Sequence, residues 1–142
     1  MPTILIAHRN AAFRERRAAE LRAAGYRVNT CPGPRAFQSC IRCDAATCPL
    51  TAGADLMLYD PYLSQHDAEG ERYNLAVAAS LAHPGVPVLL AWPAAETPTA
   101  GTLRPLRERA PHLGVAELEP AALARQVANL VPAGPAAAGP TR

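Results

Sequence analysis

The chain has 142 residues, a formal net charge of +2, 49% hydrophobic residues and 18% charged residues. This length predicts one domain with a single core. The near-neutral charge and the hydrophobic content exclude a strongly basic nucleic-acid binder and a globally disordered chain. No apolar run approaches the roughly 18 residues of a membrane span, and the first residues do not resemble a signal peptide. We therefore expect a cytoplasmic protein with neither nucleic acid nor membrane as its partner.

Two features of the composition restrict the chemistry further. All 14 basic residues are Arg, which excludes any mechanism that requires a lysine side chain. Four cysteines fall close together in the chain, namely Cys31, Cys40, Cys43 and Cys48. Because disulfides are disfavoured in the cytoplasm, clustered cysteines indicate metal ligands or reactive thiols.

The sequence predicts five strands, which cover residues 3–7, 26–30, 54–59, 86–92 and 113–118. The continuous apolar run 3–7 is typical of a strand that is buried on both faces of a sheet, whereas the segment 26–30 is short and contains Val28. Apolar residues at helical spacing predict helices over 11–24, 73–82, 102–110 and 121–130, with a further helical turn or two within 36–41. The polar segment 64–70 predicts a loop.

The boundaries of the first helix carry recognisable signals. Asn10 is a suitable N-cap, and Gly25 is a suitable stop. Because strands and helices alternate along the chain, we expect right-handed crossovers and a parallel sheet with helices on both faces. Residues 1–131 form this predicted domain, and the segment 132–142, rich in Pro, Ala and Gly, forms a predicted flexible tail.

Four segments characterise the predicted elements: Ile4-Leu5-Ile6-Ala7 in the first strand, Asp55-Leu56-Met57-Leu58-Tyr59-Asp60 in the third, Val86-Pro87-Val88-Leu89-Leu90 in the fourth, and Glu119-Pro120-Ala121-Ala122-Leu123 at the start of the fifth helix. Together with the order of elements over residues 3–131, these segments resemble the receiver domain of two-component response regulators. The resemblance implies an α/β, three-layer, doubly wound (flavodoxin-like) fold with a five-stranded parallel sheet in the order 2-1-3-4-5. It also implies a signalling module that is not an enzyme and that acts through a protein partner.

The family's phosphorylation site is only partly present. Asp60 matches the phosphoacceptor aspartate, but His8 and Arg9 stand where receivers carry an acidic pair that holds Mg²⁺. Mg²⁺ prefers hard oxygen ligands, so no Mg²⁺ is expected beside a cationic Arg9. We expect Arg9 and Asp60 to form an ion pair, with phosphorylation of Asp60 as an alternative.

Two further positions of the family pattern are altered. The family's Ser or Thr at the end of the fourth strand falls near Ala91 or Trp92, and its Lys falls near Ala116. Trp92 could fill the vacated phosphate pocket, face a partner or pack against the sheet. His8 could replace a missing ligand or base, although a hydrogen-bonded or solvated histidine is the simpler interpretation.

The four cysteines follow the pattern Cys-x8-Cys-x2-Cys-x4-Cys within the loop 31–53. Two thiolates two residues apart, as in Cys40 and Cys43, can bind one metal ion, and Cys31 and Cys48 could complete a tetrahedral set. Zinc is the preferred metal because a closed site of thiolates would stabilise a helix-poor loop. An iron–sulfur cluster uses the same ligands. A disulfide pair, reactive thiols and unligated cysteines stay open as alternatives.

These observations leave three hypotheses for function. The first is a pseudo-receiver that signals or scaffolds through protein–protein contact and carries a structural four-Cys metal site. The second is a metal or redox sensor that uses the cysteines with zinc or an iron–sulfur cluster. The third is a phosphorylatable single-domain response regulator that uses Asp60. The partner is not specified by the sequence, and either a monomer or a homodimer is compatible with it.

Overall fold

The computed structural model describes residues 1–34, 48–67 and 69–133. Within these residues the strands are β1 (Thr3–Ala7), β2 (Arg27–Cys31), β3 (Leu56–Tyr59), β4 (Ser64–His66), β5 (Arg72–Asn74), β6 (Val88–Leu90) and β7 (Gly114–Val115). The helices are α1 (Ala11–Ala23), α2 (Pro49–Ala52), α3 (Leu75–Ala82), α4 (Ala100–Arg109) and α5 (Pro120–Leu130), with a 3-10 turn over Ala94–Glu96. The helix predicted within 36–41 and most of the predicted tail lie outside the described residues.

Five of the strands form one parallel sheet in the order β2-β1-β3-β6-β7. Because β4 and β5 belong to a separate hairpin, this order is the predicted 2-1-3-4-5 order of the flavodoxin-like fold, which is therefore confirmed. The sheet places β1 between β2 and β3, so that the carboxyl ends of β1 and β3 lie side by side with Ala7 opposite Tyr59.

Alternating side chains of the central strands supply two separate cores, one on each face of the sheet. Ile4 and Ile6 of β1 pack with Phe13 of α1 and Leu123 of α5 on one face. Leu5 packs on the opposite face with a second cluster, whose members include Met57, Leu75, Val77, Leu90 and Leu113. Both faces of the sheet are therefore covered, which explains why the central strands read as continuous apolar runs.

Helix α1 begins and ends where the sequence predicts. The side chain of Asn10 accepts a hydrogen bond from the backbone N–H of Phe13, as an N-cap does. The helix ends before Gly25, whose φ of 102° lies in the left-handed region that favours glycine. These two signals fix the position at which the chain leaves β1 and enters the helix.

The expectation of a simple loop over 64–70 is wrong, because β4 (Ser64–His66) pairs antiparallel with β5 (Arg72–Asn74). Polar contacts stabilise this hairpin: Gln65 Nε2 donates to the hydroxyl of Tyr73 at 2.6 Å, and Arg72 Nε donates to Ser64 Oγ at 2.8 Å. A hairpin held by polar pairs lacks the apolar alternation from which strands are predicted. The hairpin lies between β3 and α3 in the chain, and it follows the carboxyl end of β3.

No helix among the described residues is both long enough and apolar enough to cross a membrane.

Candidate functional site

The carboxyl ends of β1 and β3 bring three of the predicted site residues together. His8 and Arg9 follow β1, and Asp60 follows β3. The backbone N–H of Asp60 donates to the carbonyl of Ala7 at 2.8 Å, which extends the strand pairing to the site itself. The Asp60 side chain is fully buried, so its charge requires partners within the protein.

Arg9 supplies most of those partners. Its guanidinium contacts both carboxylate oxygens of Asp60, through Nε at Oδ2 and through Nη2 at Oδ1, the latter at 3.2 Å. Its backbone N–H also donates to Oδ2 at 3.1 Å. The hydrogen bond to Asp60 raises the pKa of Arg9 above its ordinary value. The ion pair expected from the sequence is therefore present, in the two-pronged geometry that favours Arg over Lys.

Glu96 extends this cluster from the loop that follows β6. Its Oε1 accepts from Arg9 Nη2 at 3.1 Å, and its Oε2 accepts from Asn10 Nδ2 at 2.8 Å. Arg9 thus joins the loop after β1 to the end of β3 and to the 3-10 turn after β6. Glu96 is not predicted as a site residue, because nothing in the sequence of the loop 93–99 indicates that this carboxylate contacts Arg9.

Tyr62 completes the cluster on its open side. It is likewise not predicted as a site residue from the sequence. Its backbone N–H donates to Asp60 Oδ1 at 2.9 Å, and the guanidinium carbon of Arg9 lies 5.0 Å from the centre of its ring. This distance is within the range of a cation–π contact. Arg9, Tyr62 and Glu96 line an open cleft of about 350 Å³ together with Ala95 and Thr97. The signal that could have revealed Tyr62 is its position two residues after Asp60.

His8 is buried behind this cluster, with 1% of its surface exposed. Its Nε2 lies 3.0 Å from the carbonyl oxygen of Ala91, and its Nδ1 accepts a hydrogen bond from the backbone N–H of Asn10 at 3.0 Å. Burial lowers the pKa of His8, although the Asp60 carboxylate, 3.8 Å from Nδ1, opposes that effect. Both ring nitrogens of His8 therefore have hydrogen-bond partners, as the simpler of the two interpretations of this residue expects.

The residues around Asp60 do not fit the Mg²⁺ ion that the receiver fold implies. Mg²⁺ requires octahedral oxygen ligands and is normally bound by carboxylates and water. Here the two oxygens of Asp60 already accept four hydrogen bonds, three from Arg9 and one from Tyr62. The guanidinium of Arg9 contacts both oxygens and places a positive charge against the carboxylate, which opposes the approach of a second cation.

Trp92, at the family's Ser or Thr position, belongs to the core rather than to the polar cluster. Its side chain is 7% exposed and packs in the same apolar cluster as Leu90 and Leu113. Its indole N–H has no hydrogen-bond partner among the described residues. A side chain buried to this extent offers almost no surface to a protein partner.

Two of the four cysteines are described, and the structure places them around one cavity. Cys31 ends β2, and Cys48 precedes α2; both line a cavity with Leu50, Leu63 and Tyr59. Cys40 and Cys43 lie outside the described residues. No group of three or more metal-ligating side chains occurs within residues 1–34, 48–67 and 69–133.

The backbone connects the cysteine region to the Asp60 cluster. The backbone N–H of His8 donates to the carbonyl oxygen of Cys31 at 3.0 Å. The Sγ of Cys31 accepts from the backbone N–H of Gly33 at 3.3 Å. One backbone hydrogen bond therefore connects Cys31 to His8, the residue that precedes Arg9.

No protein-family model and no curated protein matches this chain. Among solved structures, it is similar to a candidate pilus assembly protein (CpaE) of Burkholderia thailandensis, with 25% identity, a TM-score of 0.60 and coverage of 92% of this chain and 98% of that chain. It is also similar to a candidate pilus assembly-related protein of Burkholderia pseudomallei, with 24% identity, a TM-score of 0.59 and coverage of 92% and 89%. A CheY-like receiver domain of Methanospirillum hungatei matches with 15% identity, a TM-score of 0.62 and coverage of 91% and 92%. The chain therefore has the fold of a response regulator receiver domain.

Proposed function

We propose that this chain is a non-enzymatic receiver-fold module of the cytoplasm that signals or scaffolds through protein contact without phosphorylation of Asp60. One observation carries the proposal: the guanidinium of Arg9 occupies both oxygens of the carboxylate that a receiver would phosphorylate. The receiver fold supports a signalling module, whereas the polar cluster supports the loss of its phosphate chemistry.

Phosphoryl transfer to a carboxylate requires a free nucleophilic oxygen and a cation that neutralises the incoming oxygens. Asp60 meets neither requirement, because both of its oxygens accept hydrogen bonds and the guanidinium of Arg9 is paired with the carboxylate itself rather than with an incoming phosphoryl group. The hydrogen bond from Arg9 Nη2 to Glu96 Oε1 also joins the loop after β1 to the loop after β6. The surface that the module presents to its partner would therefore not alternate between two forms through phosphorylation.

Intact-mass measurement after incubation with a small acyl phosphate and Mg²⁺ tests this proposal. We expect no phosphoryl adduct on the wild-type chain, while a receiver with an intact acidic pair is modified in the same reaction. Asp60→Asn serves as the matched variant, because it replaces the nucleophilic carboxylate with a neutral amide and retains the size of the side chain. An adduct on the wild type that is absent from Asp60→Asn would establish the phosphorylatable response regulator instead.

Exposed arginines on α4 offer one surface for the proposed protein partner. Arg104, Arg107 and Arg109 are all exposed, and α4 buries none of its side chains completely. Arginine is enriched in the energetically dominant contacts of interfaces. Charge reversal of Arg104 and Arg107 to Glu would weaken binding of a partner that uses this surface, whereas the same change at the exposed Arg16 of α1 would not.

The names of the two pilus-related structures indicate one class of partner. Their identities of 24 and 25% exceed the 15% of the archaeal receiver. We propose on this basis that the partner belongs to a pilus-assembly apparatus. Deletion of the gene should then reduce the number of surface pili, and unchanged piliation would exclude this partner class.

A metal or redox sensor is the second candidate function, and the positions of Cys31 and Cys48 favour it. These residues border one cavity, and they flank the segment that carries Cys40 and Cys43. The hydrogen bond from His8 to the Cys31 carbonyl offers a route from a bound metal to the Asp60 cluster. We propose a site formed by the four cysteines, with zinc as the preferred metal and an iron–sulfur cluster as the alternative.

Elemental analysis and visible absorption of purified protein distinguish these possibilities. Zinc in a colourless protein supports a structural site, whereas iron and sulfide in a brown protein support a sensor. A protein without metal would exclude both forms of the site. It would leave disulfide formation, reactive thiols or unligated cysteines, which thiol titration with and without reductant can separate.

A further inference from the structure

The two ring nitrogens of His8 have partners that fix its protonation state. The carbonyl oxygen of Ala91 can only accept, so Nε2 must carry the proton of that hydrogen bond. The backbone N–H of Asn10 can only donate, so Nδ1 must be unprotonated. His8 is thus held as the neutral tautomer with its proton on Nε2.

A second proton on His8 cannot be accommodated by these contacts. An N–H at Nδ1 would point at the N–H of Asn10, and the two donors would repel each other. Oδ2 of Asp60 lies 3.8 Å from Nδ1, and a small rotation or shift of the ring would bring the two atoms within hydrogen-bond distance. Asp60 Oδ2 is therefore the acceptor within the cluster for a hydrogen bond from a protonated Nδ1.

Movement of the His8 ring would affect Asp60 and Asn10, and both residues make contacts that hold the cluster together. Asp60 Oδ2 is the atom on which the Arg9 backbone N–H and Nε converge, so a cationic His8 would compete with Arg9 for it. Asn10 caps α1 and donates to Glu96, so loss of its contact with His8 would alter the start of the helix and the link to the loop after β6.

We propose that His8 is a proton-operated switch of the Arg9–Asp60–Glu96 cluster: protonation at Nδ1 transfers its contact from the Asn10 amide to the Asp60 carboxylate and loosens Arg9 from that carboxylate. The switch would change the surface at the carboxyl end of the sheet without phosphate. It does not depend on the absence of phosphorylation, because it uses only the contacts of this cluster.

The charged groups around His8 come from every element packed against it. Asp60 approaches from the end of β3, and Glu96 approaches from the turn after β6; both carboxylates favour the protonated ring. Arg9 opposes protonation from the same loop, and Arg14 of α1 donates to the backbone carbonyl of His8 at 2.8 Å. The ring of Phe13 covers one side, with 4.7 Å between the ring centres. Because burial outweighs the carboxylates and lowers the pKa of His8 below its ordinary value of 6.5, the switch is expected to operate on the acidic side of that value.

NMR titration of the ¹⁵N-labelled full chain tests the switch directly. At neutral pH we expect His8 as the Nε2–H tautomer. On acidification, the Asn10 amide and the Arg9 Nε–H should shift with the same midpoint as His8 while circular dichroism remains native. A Nδ1–H tautomer, an unchanged Arg9 Nε–H signal during His8 titration, or protonation of His8 only on unfolding would each overturn the proposal.

Two variants separate the switch from a general acid response. His8→Gln retains a donor for the Ala91 carbonyl and does not titrate, so the pH response of the Arg9 Nε–H signal should disappear; its persistence would overturn the proposal. Asp60→Asn removes the negative charge of the group that receives the proton contact, so His8 should titrate at a more acidic pH than in the wild type. An unchanged midpoint in that variant would show that Asp60 does not receive the contact. If either variant fails to fold, the wild-type titration remains decisive.

Discussion

The guanidinium of Arg9 spans the carboxylate of Asp60, with Nε at one oxygen and Nη2 3.2 Å from the other. In a receiver fold this carboxylate is the position of phosphate chemistry, and here it is the buried partner of a tethered cation. This ion pair balances the charges of both residues. A buried aspartate needs a positive partner, and an arginine in place of an acidic residue needs a negative one.

Removal of the Arg9 side chain should destabilise the domain. Arg9→Ala leaves the buried Asp60 with only backbone donors, and loss of hydrogen bonds to a charged group costs about 1.5–3 kcal/mol. The Arg9 side chain is 46% exposed, so water can replace part of its contact and the lower end of that range is expected. Urea denaturation of the wild type and the variant measures the change in the free energy of unfolding.

Two further variants serve as controls for that measurement. Arg9→Lys retains the charge but not the two-pronged contact, so its free energy of unfolding should lie between those of Arg9→Ala and the wild type. In an Asp60→Asn background, Arg9→Ala should cost less, because the buried charge is already gone. Equal costs in both backgrounds would contradict a direct coupling between Arg9 and Asp60.

Replacement of Arg9 by an acidic residue should create the cation site that the natural chain lacks. In Arg9→Asp a second carboxylate lies near Asp60 in place of the guanidinium, and two carboxylates can bind Mg²⁺. We expect millimolar Mg²⁺ to raise the melting temperature of Arg9→Asp through binding to the native state, and to leave the wild type unchanged. Arg9→Ala is the control, since it removes the cation without adding a ligand. A Mg²⁺ response in the wild type, or none in Arg9→Asp, would contradict the role given to Arg9.

Much of the fold could be predicted because its signals are local. The continuous apolar runs of β1 and β3, the Asn10 cap and the Gly25 stop each reflect a constraint within a few residues of the chain. The hairpin β4–β5 was not predicted, because it is stabilised by polar pairs such as Gln65 and Tyr73 and has no apolar period. The sheet order required the resemblance to receivers in addition to the pattern.

The candidate site could be predicted only where strand order brings residues together. Arg9 and Asp60 follow neighbouring parallel strands, so their ion pair follows from the topology. Glu96 reaches Arg9 across 87 positions of the chain, and no periodicity encodes such a contact. The burial of His8 was equally inaccessible, since it depends on the carbonyl of Ala91 and the ring of Phe13 closing around it.

Acid should destabilise the domain through His8. Burial lowers the pKa of His8 in the folded state below its ordinary value of 6.5, so the unfolded chain binds the proton more readily. The contribution of His8 to stability is thus present above pH 6.5 and is lost as the pH falls through the lower, folded-state pKa. Urea denaturation between about pH 8 and 5 should show a falling free energy of unfolding, and His8→Gln should flatten that decline. A decline of the same size in His8→Gln would assign the effect to other groups.

A four-cysteine metal site would make the stability of the domain depend on metal. Cys48 is buried at the start of α2, and Cys43 belongs to the predicted Cys-x2-Cys pair. If all four thiolates bind one zinc ion, Cys43→Ser and Cys48→Ser should each lower the zinc content and the melting temperature, because binding energy contributes to folding. A chelator should lower the melting temperature of the wild type toward that of Cys43→Ser and should leave that variant almost unchanged. Cys48→Ser also alters a buried contact, so Cys43→Ser is the cleaner test. An unchanged melting temperature and metal content in Cys43→Ser would contradict the four-cysteine site.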